Sequence, residues 1–97
     1  MDLYVIRRHS NWKTPAELET GAAKSTAEGE KMSDEVRWIR SYVVEEDDGQ
    51  LGTVCIYQGV NPEALRLHAE NSGMTVDEIV KVADTVIVRD DPVATAA

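Results

Sequence analysis

The sequence predicts an α+β domain in which two helices lie on one face of a four-stranded antiparallel sheet. Segments typical of strands and helices follow one another in the order β, α, β, β, α, β, and a tight turn joins the two middle strands. The 97 residues are enough for one hydrophobic core and too few for a second. Because two helices cover only one face of such a sheet, we expect the other face to be exposed to water or covered by a second sheet.

The first strand and the first helix are delimited by local signals. Leu3 to Arg8 (LYVIRR) is rich in β-forming residues and predicts a strand. Thr14 to Glu17 (TPAE) then supplies a capping side chain, a proline at the first helical position and a glutamate three residues after the cap. We expect a helix from here to about Met32, with small inward residues that let it lie close to the sheet. These inward residues are Leu18, Ala22, Ser25 or Thr26, Gly29 and Met32.

The two middle strands are predicted to form a hairpin. Val36 to Val44 (VRWIRSYVV) is rich in β-branched and aromatic residues, and Thr53 to Val60 (TVCIYQGV) has the same character. The segment between them, Glu45 to Gln50 (EEDDGQ), is charged and contains an Asp-Gly pair, which is a signal for a tight turn.

The remaining chain supplies one more helix and one more strand. Asn61-Pro62 predicts a helix start capped by the asparagine side chain, and Ser72-Gly73 predicts its end. Val82 to Val88 (VADTVIV) predicts the last strand. We therefore expect a single domain over residues 1–89, followed by a flexible tail over residues 90–97. The complete βαββαβ order is that of a ferredoxin-like fold.

The charge and composition of the chain exclude several classes of function. With 18 acidic and 10 basic residues its formal net charge is -8, which repels nucleic acid and anionic membrane surfaces, so we expect neither as a partner. The apolar runs are shorter than the roughly 20 residues of a membrane span, and Met1-Asp2-Leu3 lacks the basic start of a signal peptide. The single cysteine, Cys55, excludes an internal disulfide and fits a reducing compartment, so we expect a cytoplasmic protein.

The second strand carries an unusual set of side chains. In a regular strand Trp38, Arg40 and Tyr42 share one face, opposite Ile39, Ser41 and Val43. The residues that oppose this face on the third strand are Cys55 and Tyr57 or, in the alternative register, Ile56 and Gln58. Aromatic and arginine side chains are enriched in interfaces, so the sequence predicts that this face forms a homodimer contact or, alternatively, a pocket for a small molecule.

Several motifs resemble those of a known protein family. The motifs are Trp38 to Val43 (WIRSYV), Cys55 to Tyr57 (CIY), Asn61 to Glu63 (NPE) and Arg66 to Ala69 (RLHA). In their order and spacing they resemble a family of small bacterial nickel-binding proteins known from streptomycetes, over about Leu3 to Val82. The resemblance implies a ferredoxin-like fold, a homodimer of the α/β-barrel type formed by the open sheet faces, and nickel binding in at least one member of the family, so that a divalent metal or a small molecule is a candidate ligand.

The sequence departs from that family at two positions. Arg40 stands where the family pattern W-x-H-S-Y has histidine, and Arg7 stands where relatives often have an acid. Because arginine stays protonated and cannot ligate a metal, the resemblance implies nickel binding with reduced affinity here. His9 and His68 are the histidines left as candidate ligands, and a site would need further donors such as carboxylates, Cys55 or a second subunit.

Each of these candidate residues also has a structural interpretation. His68 lies at the edge of an apolar helical stripe, where it can pack and donate a hydrogen bond, and Cys55 in a central strand behaves as a small apolar side chain. Three hypotheses therefore remain: a homodimeric binding protein of the nickel-binding family, a dimer without a ligand, or a cofactor-free α/β-barrel enzyme. In the enzyme, Arg40 would hold an anionic group, and Tyr42 or Tyr57 would assist proton transfer.

Overall fold

The computed structural model describes residues 1–92 and contains the six elements in the expected order. The strands are β1 (Asp2–Trp12), β2 (Val36–Glu45), β3 (Leu51–Gly59) and β4 (Glu78–Lys81), and the helices are α1 (Pro15–Lys31) and α2 (Pro62–Asn71). The strands form one antiparallel sheet in the order β2-β3-β1-β4, with both helices on the same face. The ferredoxin-like α+β prediction is confirmed.

Both helices begin where their capping residues predict. The Thr14 hydroxyl accepts a hydrogen bond from the Glu17 amide at 3.2 Å, and the Glu17 carboxylate accepts one from the Lys13 amide at 2.7 Å. At α2 the Asn61 side chain accepts from the Ala64 amide at 2.8 Å. These bonds satisfy amides that have no partner within a helix, so the local sequence fixes both starts. Neither helix within residues 1–92 is long and apolar enough to cross a lipid bilayer.

The hairpin between β2 and β3 also follows the prediction. Gly49 has a φ of 82°, a left-handed conformation that glycine adopts without a steric penalty. The Gly49 amide donates to the Glu46 carbonyl at 2.9 Å, and the Asp48 carboxylate accepts from the Gln50 amide at 2.9 Å. The turn therefore satisfies its polar groups locally and brings the two strands together.

The core lies between the helices and one face of the sheet. Tyr4 and Ile6 of β1 and Tyr57 of β3 are all at most 4% exposed, and Leu65 of α2, with no exposed surface, packs on them. The close approach of α2 to the sheet depends on Gly59, because a Cβ atom there would lie 2.9 Å from the Leu65 Cγ atom. Leu65 and Gly59 thus fix the position of α2 over β3.

The prediction of a last strand at Val82–Val88 is wrong. The edge strand is β4, in which Glu78 pairs with Arg7 and Lys81 pairs with Tyr4. The Val82 amide then donates to the Leu3 carbonyl at 2.8 Å. Because the two strands are antiparallel and β1 begins at Asp2, only one residue of β1 lies beyond Leu3. The β-branched residues at 86–88 have no remaining length of β1 to pair with, and residues 82–92 form no helix or strand.

The predicted C-terminal tail over residues 90–97 is described only in part. Asp91 contacts Arg40 and Tyr42, and residues 93–97 lie outside the described part of the chain. The flexibility of this tail, and the domain boundary at residue 89, remain predictions.

Replacement of Gly59 by alanine tests the packing of α2. We expect Gly59→Ala to lower the free energy of unfolding by about 1–3 kcal/mol, the usual cost of adding a methyl group to a filled core. Urea denaturation measures this change. In a Leu65→Ala background the added methyl group has room, so the same substitution should cost less there. An equal cost in both backgrounds would show that Gly59 and Leu65 do not limit each other.

Candidate functional site

A β-bulge at Ile39 determines which residues of β2 face the helices. Trp38 pairs with Tyr57 and Arg40 pairs with Ile56, so that Ile39 between them has no partner on β3. A bulge adds one residue to one strand and reverses the alternation of the side chains that follow it. Before the bulge the even-numbered residues of β2 face the helices, and after it the odd-numbered residues do.

The bulge separates residues that the sequence places on one face. Trp38 lies on the helix side with Tyr57 and Cys55, whereas Arg40 and Tyr42 pair with residues of the open face. The prediction that Trp38, Arg40 and Tyr42 share a face is therefore wrong, because it assumed a regular strand. Of the five residues predicted as one ligand or interface surface, Trp38, Cys55 and Tyr57 lie together on the helix side and Tyr42 lies on the open face. Arg40 contributes to the wall of the helix-side pocket, although its guanidinium pairs with Asp91 on the open face.

The helix side of β2 and β3 contains a pocket beneath the first half of α1. Its volume is about 440 Å³. The apolar part of the wall consists of Trp12, Leu18, Ala22, Trp38, Ile39, Val43 and Met74, and the polar part consists of Arg8, Ser25, Arg40, Ser41, Thr53, Cys55 and Tyr57. We call this cavity the α1 pocket. The short side chains of α1 were expected to let the helix lie close to the sheet, but around Ala22 and Ser25 they leave this space open.

The base of the α1 pocket holds a buried arginine that sequence reasoning did not single out. Arg8 is 2% exposed, and its Nε–H donates to the Thr75 carbonyl at 2.9 Å. Its Nη1–H donates to the Cys55 Sγ atom at 3.7 Å. The strand alternation already indicates its position, because Tyr4, Ile6 and Arg8 share a face and the first two belong to the core.

Polar groups beside Arg8 line the same part of the pocket. The Trp38 Nε1–H donates to the Ser41 hydroxyl at 2.7 Å, which donates in turn to the Cys55 Sγ atom at 3.0 Å. Thr53 is the cross-strand neighbour of Arg8 and is 3% exposed. Its hydroxyl has no hydrogen-bond partner among the residues that the structure describes. This end of the pocket is therefore polar, whereas its walls are largely apolar.

Tyr57 connects the pocket to the core. Its ring stacks on Trp38 with centroids 6.0 Å apart and an interplanar angle of 1°, and it lies tilted against the His68 ring at 5.6 Å. The Tyr57 hydroxyl is 3.2 Å from the Ser25 Oγ atom. Burial raises the pKa of Tyr57, although the bond to Ser25 opposes that shift. The raised pKa favours the neutral phenol, whose hydroxyl links β3 to α1 through Ser25.

The two candidate histidine ligands lie in different environments. His68 is 2% exposed, and its Nε2–H donates to the Ser25 carbonyl at 2.9 Å. His9 is exposed, and its Nδ1 atom lies 3.3 Å from the Glu46 carboxylate, which also forms an ion pair with Arg7. Residues 1–92 contain no group of three or more histidine, cysteine or acidic side chains that would hold a metal ion. The residues of one copy therefore do not fit a nickel ion.

On the open face of the sheet, Arg40 and Tyr42 bind a carboxylate of the chain itself. The Arg40 Nη1 atom is 2.9 Å from Asp91, and the Tyr42 hydroxyl donates to Asp91 at 2.8 Å. The hydrogen bond from Tyr42 and the neighbouring guanidinium lower the pKa of Asp91. An external anion at Arg40 would therefore compete with Asp91.

Comparison with known proteins relates this geometry to a family. A model of the family described as "Nickel responsive protein SCO4226-like" matches residues 4–82. Among solved structures, SCO4226 from Streptomyces coelicolor A3(2) matches with a TM-score of 0.69 at 19% sequence identity. The match covers 87% of this chain and 99% of that protein, and at this identity it establishes the fold alone. No curated protein sequence matches the chain.

Removal of each histidine tests its predicted role as a nickel ligand. We expect His68→Ala to leave nickel binding unchanged and to lower the free energy of unfolding by about 1–3 kcal/mol, because it leaves the buried Ser25 carbonyl without its donor. Any weak nickel binding should depend on the exposed His9 instead. Calorimetric titration of nickel into tag-free wild type, His9→Ala and His68→Ala measures both effects when combined with urea denaturation. Loss of nickel binding in His68→Ala at unchanged stability would contradict this interpretation.

Alkaline titration of stability tests the environment of Tyr57. Near pH 10.0, the ordinary pKa of the phenol, the unfolded chain releases this proton and the folded chain keeps it. The stabilising contribution is therefore complete below that pH and is lost as the pH rises through the raised folded pKa. We expect Tyr57→Phe to lose stability less steeply than wild type above pH 10.0 in urea denaturation. The exposed Tyr42→Phe serves as the control, and identical slopes for wild type and Tyr57→Phe would contradict the prediction.

Proposed function

Because the chain belongs to the SCO4226-like family of nickel-responsive proteins, we propose that it is a cytoplasmic homodimeric binding protein for a small, largely apolar organic molecule. Membership confirms the resemblance inferred from the sequence motifs. The observation that carries the proposal is the α1 pocket, with its volume of about 440 Å³. Cavities of roughly 300–1,000 Å³ with mostly apolar walls and a few converging polar groups are the usual form of small-molecule sites.

The walls of the α1 pocket support an apolar ligand. Trp12 and Trp38 both line it, and they are the two tryptophans of the chain. Trp12 is 8% exposed and packs against Gly21 of α1, where an added Cβ atom would lie 3.0 Å from its Nε1 atom. Trp38 is 39% exposed, so part of its indole remains available to a ligand. Aromatic rings of this size provide much contact area to an apolar molecule.

We propose that this chain binds nickel only weakly. Arg7 and Arg40 stand at positions where the family resemblance implies ligands, and both are engaged with carboxylates of the chain. His9 shares Glu46 with Arg7, so a metal ion at His9 would compete with that ion pair. A second copy would have to supply further donors for a complete site.

The homodimer is proposed to form through the open face of the sheet. Ile56, Val5 and Val80 lie side by side across β3, β1 and β4 on the side opposite to the helices. Val80 is 53% exposed, and Val5 and Ile56 are partly exposed. A contiguous apolar row on a surface is characteristic of an interaction site, and a second copy of the same row would bury it.

The enzyme hypothesis has less support than binding. It requires Arg40 to hold an anionic group beside Tyr42 or Tyr57. Asp91 already pairs with Arg40 and Tyr42, and Tyr57 is 2% exposed with its hydroxyl bonded to Ser25. The geometry therefore favours binding over proton transfer by these residues.

A cavity-filling substitution tests the binding function. We expect Ala22→Leu, which fills the α1 pocket, to weaken binding of phenylacetate or phenylacetamide by about tenfold or more, equivalent to ~1.4 kcal/mol. Ala23→Leu, at the adjacent exposed position of α1, makes the same change outside the pocket and should bind like wild type. Tryptophan fluorescence is the readout, because both tryptophans line the pocket. If neither compound binds to wild type, the pocket is not a site for small molecules of this class.

A charged substitution on the open face tests the homodimer. We expect Val5→Lys to convert the dimer into a monomer in sedimentation velocity, because an unpaired ammonium group would be buried in the apolar row. Leu67→Lys is the control, since Leu67 is 48% exposed on α2 at the opposite side of the molecule. A monomeric wild type, or a Val5→Lys protein that remains dimeric, would contradict this arrangement.

A further inference from the structure

We propose that the ligand of the α1 pocket is an apolar monocarboxylate whose carboxylate binds Arg8 and Thr53. This inference rests on the proposed function and adds the chemical class of the ligand. It follows from a buried guanidinium without a counter-ion and an unpartnered hydroxyl group, which are neighbours in the sheet, together with the apolar character of the remaining wall.

The first observation is that the charge of Arg8 is buried without a counter-ion. Arg8 is 2% exposed, and within residues 1–92 no carboxylate lies within ion-pair distance of it. Its hydrogen-bond partners within these residues are not carboxylates: the Thr75 carbonyl binds Nε, and the Cys55 sulfur binds Nη1. Arginine is seldom buried unless it is paired, and a guanidinium has five N–H donors. Arg8 therefore keeps donors for an anion that enters the pocket.

The second observation is the hydroxyl group of Thr53. Thr53 lines the pocket, and its buried hydroxyl has no hydrogen-bond partner in the part of the chain that the structure describes. Nearly all buried polar side-chain atoms in proteins have a partner, so an unpartnered hydroxyl beside a cavity indicates a missing acceptor or donor. Thr53 and Arg8 pair directly across β3 and β1 and face the same side. One carboxylate can accept hydrogen bonds from both.

The rest of the pocket selects an anion with an apolar body. Leu18, Ala22 and Val43 contribute side chains without polar atoms, so a small inorganic anion would leave most of the cavity unfilled. Arg40 also contributes to the pocket wall, but its guanidinium is paired with Asp91 on the open face. A single free cationic centre matches one carboxylate better than a group of several charges.

The overall charge of the protein does not prevent such binding. The net charge of -8 repels an anion at long range. Physiological salt screens exposed charges beyond about 8 Å, whereas a pair formed in a buried pocket is screened much less. The local attraction of Arg8 therefore decides the affinity once the ligand has entered.

Two ligands of nearly equal size, one of them anionic and the other neutral, test the inference. Phenylacetate and phenylacetamide have the same ring and nearly the same shape, but the amide is neutral. We expect wild type to bind phenylacetate about tenfold or more tightly than phenylacetamide, as measured by tryptophan fluorescence. In Arg8→Met, the preference should disappear while binding of the amide remains.

Thr53→Val provides a second variant in case Arg8→Met does not fold. Valine has the shape of threonine and removes only a hydroxyl group that is unpartnered in the ligand-free protein. We expect Thr53→Val to raise stability in urea denaturation and to weaken phenylacetate binding about fivefold, with little effect on phenylacetamide. Lower stability and unchanged phenylacetate binding would show that Thr53 has a purely structural role.

The outcomes separate this inference from the proposed function. Equal affinity of wild type for the acid and the amide would overturn the carboxylate assignment and leave the pocket as a site for neutral apolar molecules. No binding of either compound would overturn both. Retention of the preference for phenylacetate in both Arg8→Met and Thr53→Val would place the carboxylate elsewhere.

Discussion

The β-bulge at Ile39 is the constraint on which the remaining features of the site depend. Without the additional residue, Ser41 and Val43 would face the open side of the sheet, and Arg40 and Tyr42 would face the helices. With it, the Trp38 indole stacks on Tyr57 and donates to the Ser41 hydroxyl, so both ends of the bulge are held by contacts on the helix side. A local irregularity of one residue therefore determines the lining of the pocket.

The bulge also separates two surfaces of different composition. The helix side gains the α1 pocket, in which an apolar wall adjoins the buried guanidinium of Arg8. On the open face, Asp91 forms an ion pair with Arg40 and accepts a hydrogen bond from Tyr42. The same face carries the apolar row that includes Val5. In the function that we propose, the open face binds a second copy and the helix side binds a small molecule.

The sequence predicts the features that depend on local interactions and misses those that depend on pairing between strands. The Thr14 and Asn61 caps fix the helix starts, and the Asp-Gly turn fixes the hairpin, because each involves neighbouring residues. The bulge at Ile39 leaves no signal in a strand with regular composition. The last strand was misplaced at Val82–Val88 because β-propensity does not reveal how much of β1 remains available for pairing. Arg8 was predictable from alternation alone, although its lack of a counter-ion was not.

The central claim is that the bulge at Ile39 brings Ser41 to the helix side of the sheet, beside Trp38. The nuclear Overhauser effects of the Trp38 indole protons measure this most directly, and a chain with two tryptophans makes their assignment straightforward. The account predicts cross-peaks from the Trp38 indole to the ring protons of Tyr57 and to the β protons of Ser41. Absence of the cross-peak to Ser41, with the cross-peak to Tyr57 retained, would show a regular strand without the bulge and would contradict the account.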